Sequence, residues 1–318
     1  MSFGYLSLGF GSFPSRFSPA IFGPRGLAMG GTGSGGKVNI IEFITIATTG
    51  NATDFGDCLA VNEEGAAATN GARGVNAVGR DSGLSNVLEF VTIATTGNAT
   101  DFGNRTVELK EIASCQGEGR GLFAGGPNDD GSGGDTIDFI DIATTGNASD
   151  FGNLITETQG CAGTNSSVGR GVFGGGMVPG SDPRTAKIDF ITIATTGNAS
   201  DFGNITSRRN GLAACTDGSR GVFFGGHNAA GNEQDTIDFI TIANTGNASD
   251  FGDIASGIVV ACSATSDGTR GILMGGSNAG TTAFYNNISL ITIANTSNSS
   301  DFGNLSAGRL ALSATSGG

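Results

Sequence analysis

The triplet Asp-Phe-Gly returns six times in 318 residues, beginning at Asp54, Asp101, Asp150, Asp201, Asp250 and Asp301, with spacings of 47, 49, 51, 49 and 51. A second marker, Arg-Gly followed by an apolar run, keeps the same beat from Arg25, Arg73, Arg120, Arg170, Arg220 and Arg270. A period of about forty to fifty residues restricts a chain to propellers or helical arrays, because each unit must bury its apolar face against copies of itself.

Strand chemistry decides between the two. The segments "RGVFFGG" (Arg220–Gly226) and "TIDFITIA" (Thr236–Ala243) are short, β-branched and aromatic, and bounded by glycine. "NASDFG" follows a Thr-Gly turn as a further short strand, and "GLAACTDG" (Gly211–Gly218) makes a fourth from small residues, suited to an axis where strands converge. In the Thr236 segment Ile237 and Phe239 share one face, and Ile240 and Ile242 share the other, so the strand must be covered on both. No segment holds helical spacing over ten residues. The expectation is an all-β, six-bladed propeller with four antiparallel strands per blade.

Composition narrows the function. The 57 glycines show no Gly-X-Y period, and apolar blocks recur between them, which excludes collagen and argues against disorder. A net charge of −13 with only three lysines (Lys37, Lys110, Lys187) argues against nucleic-acid partners, whose phosphates need clustered basic residues. Five widely spaced cysteines without a CxxC pair, and the single His227, argue against a metal site, so no metal and no cofactor is expected. No apolar run is long enough for a spanning helix. The start, "MSFGYLSLGFGSFPSRF", lacks the basic region of a secretion leader, so synthesis in a reducing cytoplasm is expected.

With these strands in place the chain resembles the kelch family over about residues 25–318. The counterparts in the fifth repeat are Leu212–Cys215, Gly221–Gly226, Ile237–Ile242 with Phe239, and Ser249–Gly252 with Phe251. It departs from the kelch pattern in having no tryptophan, and in losing the Gly pair of the second strand at Gly79-Arg80. The wording "IDFITIATTGNASDFGN" also resembles repeats in structural and tail proteins of marine bacteriophages, of the cyanophage type. That resemblance implies a virion component made in the host cytoplasm, tail-associated or attached to the capsid.

Asp-Phe-Gly invites a kinase reading, in which the Asp holds magnesium. That chemistry needs one such Asp together with a paired Lys and a catalytic-loop Asp. Six copies on short strands fit a scaffold instead. Phe55, Phe102, Phe151, Phe202, Phe251 and Phe302 read as plugs, each contributing roughly 2–3 kcal/mol by burial, and each Asp reads as a bond to nearby backbone N–H groups after a turn. The six arginines are expected to bond carboxylate or carbonyl oxygens between adjoining strands or blades, with an anion-binding ring as the alternative. Asn51, Asn98, Asn147, Asn198, Asn247 and Asn298 match the glycosylation sequon, but their constant place in a hairpin turn explains them without sugar. The aligned cysteines read as small buried hydrophobes. Copper oxidases on kelch propellers need several His and Tyr ligands, whereas here one His and two Tyr are present; no enzyme activity is expected.

Function then falls to the connections. The near-constant turns, such as "TDGSRG" and "TTGNAS", share one end of the propeller, and the variable pieces, such as Gly126–Asp135, Gly176–Lys187 and Gly226–Asp235, share the other. The variable end is the expected contact surface. Phe17–Phe22 and Leu310–Thr315 compete to complete the first blade, and Arg309–Gly318 is the favoured source. Residues 1–24 then form an arm outside the ring domain of 25–318. Its Phe3, Tyr5, Leu6, Leu8, Phe10, Phe13 and Phe17 are candidate contacts to other virion proteins, with packing on the propeller's own surface as the alternative. The alternative is an adhesin-like module binding a host-surface glycan or protein through the variable loops. No nucleic acid and no membrane insertion is expected.

Overall fold

A strand that is apolar on both faces has to lie between two others, and that requirement builds the molecule. The structure is a computed structural model and describes residues 22–128, 134–167, 169–178, 184–228, 230, 232–257, 259–278 and 283–318. It is an all-β propeller of six blades, each with four antiparallel strands. From axis to rim, blade two joins Ala66–Thr69, Arg73–Ala77, Val87–Thr92 and Thr100–Asn104. Blade three joins Ala113–Gly117, Arg120–Ala124, Thr136–Asp141 and Ser149–Asn153. Blade four joins Ala162–Asn165, Arg170–Gly174, Lys187–Thr192 and Ser200–Asn204. Blade five joins Ala213–Thr216, Arg220–Phe224, Thr236–Thr241 and Ser249–Asp253, and blade six joins Ser263–Ser266, Arg270–Met274, Asn287–Thr292 and Ser300–Asn304.

Blade one is composite. Its inner strand is Ser313–Gly317, paired antiparallel with Arg25–Met29, followed by Gly36–Thr45 and Thr53–Asn62. The two distant parts of the chain thus close the ring through main-chain bonds. The inner strands touch one another around the axis in an unbroken circle. Their side chains are mostly Ala, Ser, Thr and Gly, which the converging geometry requires.

The core is not central. Six separate apolar clusters lie between neighbouring blades, each drawing on two of them. In the cluster between blades three and four, Leu122, Ala124 and Ile137 of one blade pack on Phe173 and Ile191 of the next, with Phe151 beneath. A blade therefore buries its apolar faces against its neighbours, which is why the repeat must be copied closely.

Asp-Phe-Gly is a β-bulge. In blade three Ile137 pairs with Gly152 and Asp138 with Asp150, so Phe151 is the extra residue, and the same one-residue shift occurs in all six blades. The bulge turns the ring into the seam, where every one of the six phenylalanines is 2% exposed. Five of these rings meet the third-strand Phe of their own blade edge-to-face at 5.9–6.1 Å. The glycine stands at φ of +144° to +154°, and a Cβ there would lie 2.2–2.6 Å from main-chain atoms of the next blade's Thr-Gly-Asn or Thr-Ser-Asn turn. No other residue type fits that contact without moving the blades apart.

Candidate functional site

The repeated polar residues hold the ring together. Each marker arginine donates from Nη1 to a carbonyl just past the third strand of the next blade, at 2.8–3.0 Å: Arg25 to Ile93, Arg73 to Ala143, Arg120 to Ile193, Arg170 to Ile242, Arg220 to Ala294 and Arg270 to Ala47. Five of the guanidinium groups also lie over the third-strand Phe of their own blade at 4.5–4.8 Å. In blade six Leu290 occupies the matching register position opposite Ile272, so Arg270 lacks that ring. At the rim each sequon Asn accepts through Oδ1 a backbone N–H of the preceding blade at 3.0–3.1 Å, as Asn147 does from Asn104.

The six Asp of Asp-Phe-Gly behave differently from expectation. Asp54, Asp101, Asp150, Asp201, Asp250 and Asp301 are exposed, and no hydrogen bond or ion pair is recorded for their carboxylates among the described residues. The bulge is the physical reason: it points the Phe inward and leaves the Asp side chain on the solvent edge rather than over a turn's N–H groups. The arm residues Phe3, Tyr5, Leu6, Leu8, Phe10, Phe13 and Phe17 lie outside the described residues, as do the tips of the variable loops at 129–133, 179–183 and 279–282.

A second set of acids was not foreseen. Glu42, Glu89, Asp138, Asp189 and Asp238, with Ser289 as the sixth, occupy one position of the third strand and are buried. Each faces the stretch that follows the bulge glycine of the preceding blade, which in blade one still belongs to the outer strand. Glu89 accepts from the Leu59 amide and Asn76 Nδ2, and Asp138 from the Thr106 amide and hydroxyl. Asp238 holds Thr206 Oγ1 and the wholly buried Arg209, and Glu42 holds the Ser306 amide and Arg309. The sequence carried the signal as a position reading Glu, Glu, Asp, Asp, Asp, Ser inside otherwise apolar strands. Burial pushes the carboxyls of Asp138 and Asp189 up from their ordinary values, and the facing rim Asp150 and Asp201 add to it.

The connections sort by face. Turns between inner and second strands, and between third and outer strands, lie on one face, here the hairpin face; all longer connections lie on the other, the loop face. A narrow axial channel joins them, lined on the hairpin side by Ser, Thr, Asn165 and Gln116, with Phe22 at that end. On the loop side it opens into a mouth of about 780 Å³, open space included, contributed by all six blades. A circle of main-chain bonds surrounds this mouth. Glu64 N–H donates to Ala311, Ala311 to Ala261, Ala261 to Gly211, Gly211 to Gly160, Gly160 to Glu111 and Glu111 back to Glu64, at 2.7–3.1 Å. All six residues are left-handed, with φ of +49° to +69°.

Glu64, Glu111, Asn210 and His227 stand around this mouth over a floor that includes Leu212, Val260 and Leu312. Lys110 Nζ lies 3.7 Å from Glu64 and 3.8 Å from Glu111, and His227 Nε2 lies 3.9 Å from Glu233 Oε1. Desolvation raises the Glu64 pKa and lowers that of His227, so the imidazole is neutral at pH 7. Cys161 and Cys262 also line the mouth, but burial pushes both thiols up to about 12, which keeps them protonated rather than nucleophilic. Chemically the mouth offers acceptors and an amide around an apolar floor, an arrangement for gripping a polar ligand.

No protein-family model matches the chain, and no curated protein matches it. Among solved structures, that of YjhT superposes with a TM-score of 0.63 at 13% identity, covering 80% of this chain and 87% of that one. At this identity the likeness shows the propeller fold alone.

Proposed function

We propose that the chain is a non-enzymatic structural protein of a bacteriophage particle, a tail-associated or capsid-attached propeller of kelch-like descent. Its N-terminal arm anchors it, and its loop face is presented outward. The observation that carries this reading is the way polar side chains are used. The arginines and the sequon asparagines are committed to neighbouring blades, and the buried acids to the seams, which leaves the loop face as the surface free to differ from blade to blade. The phage assignment itself draws on the wording of the repeat. The mouth of about 780 Å³ on the loop face favours the second reading, recognition of a host-surface glycan or protein by the same face.

Proteomics and cryo-EM of purified particles of the encoding virus test the proposal. Recovery in the particle at a fixed copy number, with ring-shaped density at one site, is the expected result; presence only in the soluble lysate of infected cells would overturn it. Deleting residues 2–16 is expected to leave a soluble ring that no longer joins the particle. Unfolding of that variant would instead make the arm part of the domain.

A further inference from the structure

The six seams differ in what meets the buried polar residue of the third strand, and among the five seams with an acid there, only the one between blades three and four leaves a buried carboxylate oxygen without a donor. Where the connection after the outer strand meets the buried acid of the next blade, two kinds of donor recur. One is a residue three places after the bulge glycine: Thr106 gives amide and hydroxyl to Asp138, Thr206 its hydroxyl to Asp238, and Ser306 its amide to Glu42. The other is an arginine six places after that glycine, Arg209 on Asp238 and Arg309 on Glu42. Between blades three and four neither side-chain donor is present. Ile155 stands in the first place and Thr158 in the second.

Asp189 is left with half of its bonds. Its Oδ2 accepts the Ile155 amide at 3.0 Å, while Oδ1 is buried and makes no hydrogen bond, although the residue is only 7% exposed. Isoleucine has no hydroxyl to offer, and its side chain stands 47% exposed. The Thr158 hydroxyl turns away to the Thr156 carbonyl at 2.8 Å. A cleft of about 300 Å³, mouth included, opens at this acid, walled by Leu154, Thr158, Cys161, Phe173, Val178 and Lys187 among others. Lys187 is exposed, and although its charge reaches Asp189, no ion pair joins the two.

We propose that this cleft is a binding site for a guanidinium group, with the free Asp189 oxygen as its acceptor. The class of ligand is set by the seams between blades four and five and between six and one, where the same carboxylate position is met by an arginine of the chain itself. A planar guanidinium matches a carboxylate in two directions and is weakly hydrated, so it enters a partly apolar cleft at lower cost than an ammonium. The site stands on the blade geometry and does not rest on the phage reading.

The test is titration of the isotopically labelled full chain with methylguanidinium, followed by amide chemical shifts at Ile155 and Val178 and by the melting temperature. Saturable shifts with a rise in Tm are expected, and methylammonium should give weaker ones. Thr158→Arg supplies an internal guanidinium and Asp189→Asn removes the charged acceptor, so both should abolish the response; Lys187→Ala removes a competing cation and should retain it. A peptide carrying one arginine separates the sources. Binding tenfold tighter than methylguanidinium assigns the site to a partner's side chain, and equal affinity assigns it to a free solute. No saturable shift in the unaltered protein, or an undiminished one in Thr158→Arg, would overturn the proposal.

Discussion

The hairpin face and rim of this propeller are nearly the same in every blade, whereas the loop face differs in each. Both carry two connections per blade, so the contrast does not come from their number. It comes from what each connection touches. A Thr-Gly-Asn turn donates from Gly146 to the Phe102 carbonyl and from Ala148 to the Asn104 carbonyl of the blade before it, and Asn147 accepts the Asn104 amide in return. Any change there is felt by two blades. A loop such as 226–235 also reaches its neighbours, as when the Gly226 amide bonds the Val259 carbonyl, but it does so through main-chain groups and pairs with Arg209 and Asn210 by backbone alone. Repetition therefore marks the segments whose contacts to the next blade need a particular side chain or a glycine.

The sharpest way to break the contrast is at the bulge glycine. Gly103→Ala would place a methyl 2.4 Å from the Gly146 carbonyl at φ +147°, whereas Gly146→Ala meets nothing within 4 Å. Backbone strain and overpacking together should cost the first variant about 4 kcal/mol. The second should melt close to the parent. Equal losses in denaturant unfolding would mean that the turn, not the seam, limits this contact.

The arginines offer a smaller and graded test. Arg170→Ala removes bonds to two carbonyls and a guanidinium stacked on Phe190, and should cost about 2 kcal/mol. Arg270→Ala removes the same kind of carbonyl bonds, but this guanidinium has no ring beneath it, so its cost should be lower by about 0.5–1 kcal/mol. If the two variants melt together, the aromatic contact contributes nothing measurable.

The smallest effect belongs to the loop side. The folded carboxyl of Asp189 titrates above its ordinary value because it is buried, so the folded state holds its proton more tightly than the unfolded one. Its contribution to stability is fully present below the unfolded carboxylate pKa and is lost as pH rises through the raised folded value. Asp189→Asn should therefore melt slightly above the parent at pH 7, and the gap should close as pH falls into the ordinary carboxylate range. A gap independent of pH would place the titration elsewhere.

Blade number, strand order and the small-residue inner strands were legible because period and side-chain size act locally. The two classes of acid were not. Asp138 and Asp150 carry the same side chain in register opposite each other, yet one is buried in a seam and the other lies on the rim. What separates them is the single extra residue Phe151, and a bulge leaves no mark on composition or alternation that a strand end would not also leave. At Asp189 the letter is unchanged from the fifth repeat; only the partners at Ile155 and Thr158, more than thirty residues earlier, make its setting different. Sequence periodicity finds what the blades share, and it is silent on which seam lacks a donor.

The circle of amides around the loop-side mouth carries one more consequence. Its six N–H bonds all run in the same sense, from each blade to the one before it, so they form a closed current of dipoles rather than a stack. Vectors laid head to tail around a closed figure cancel within its plane, so the collar sets up no field across the mouth, unlike the one-way dipole at the end of a helix. Any preference of the entrance for one sign of charge must come from the side chains set on the collar, and Glu64 and Glu111 are two of the six residues that form it. The collar behaves as a bezel, and the charge met by whatever enters is set by two acids and by the Lys110 ammonium that lies between them.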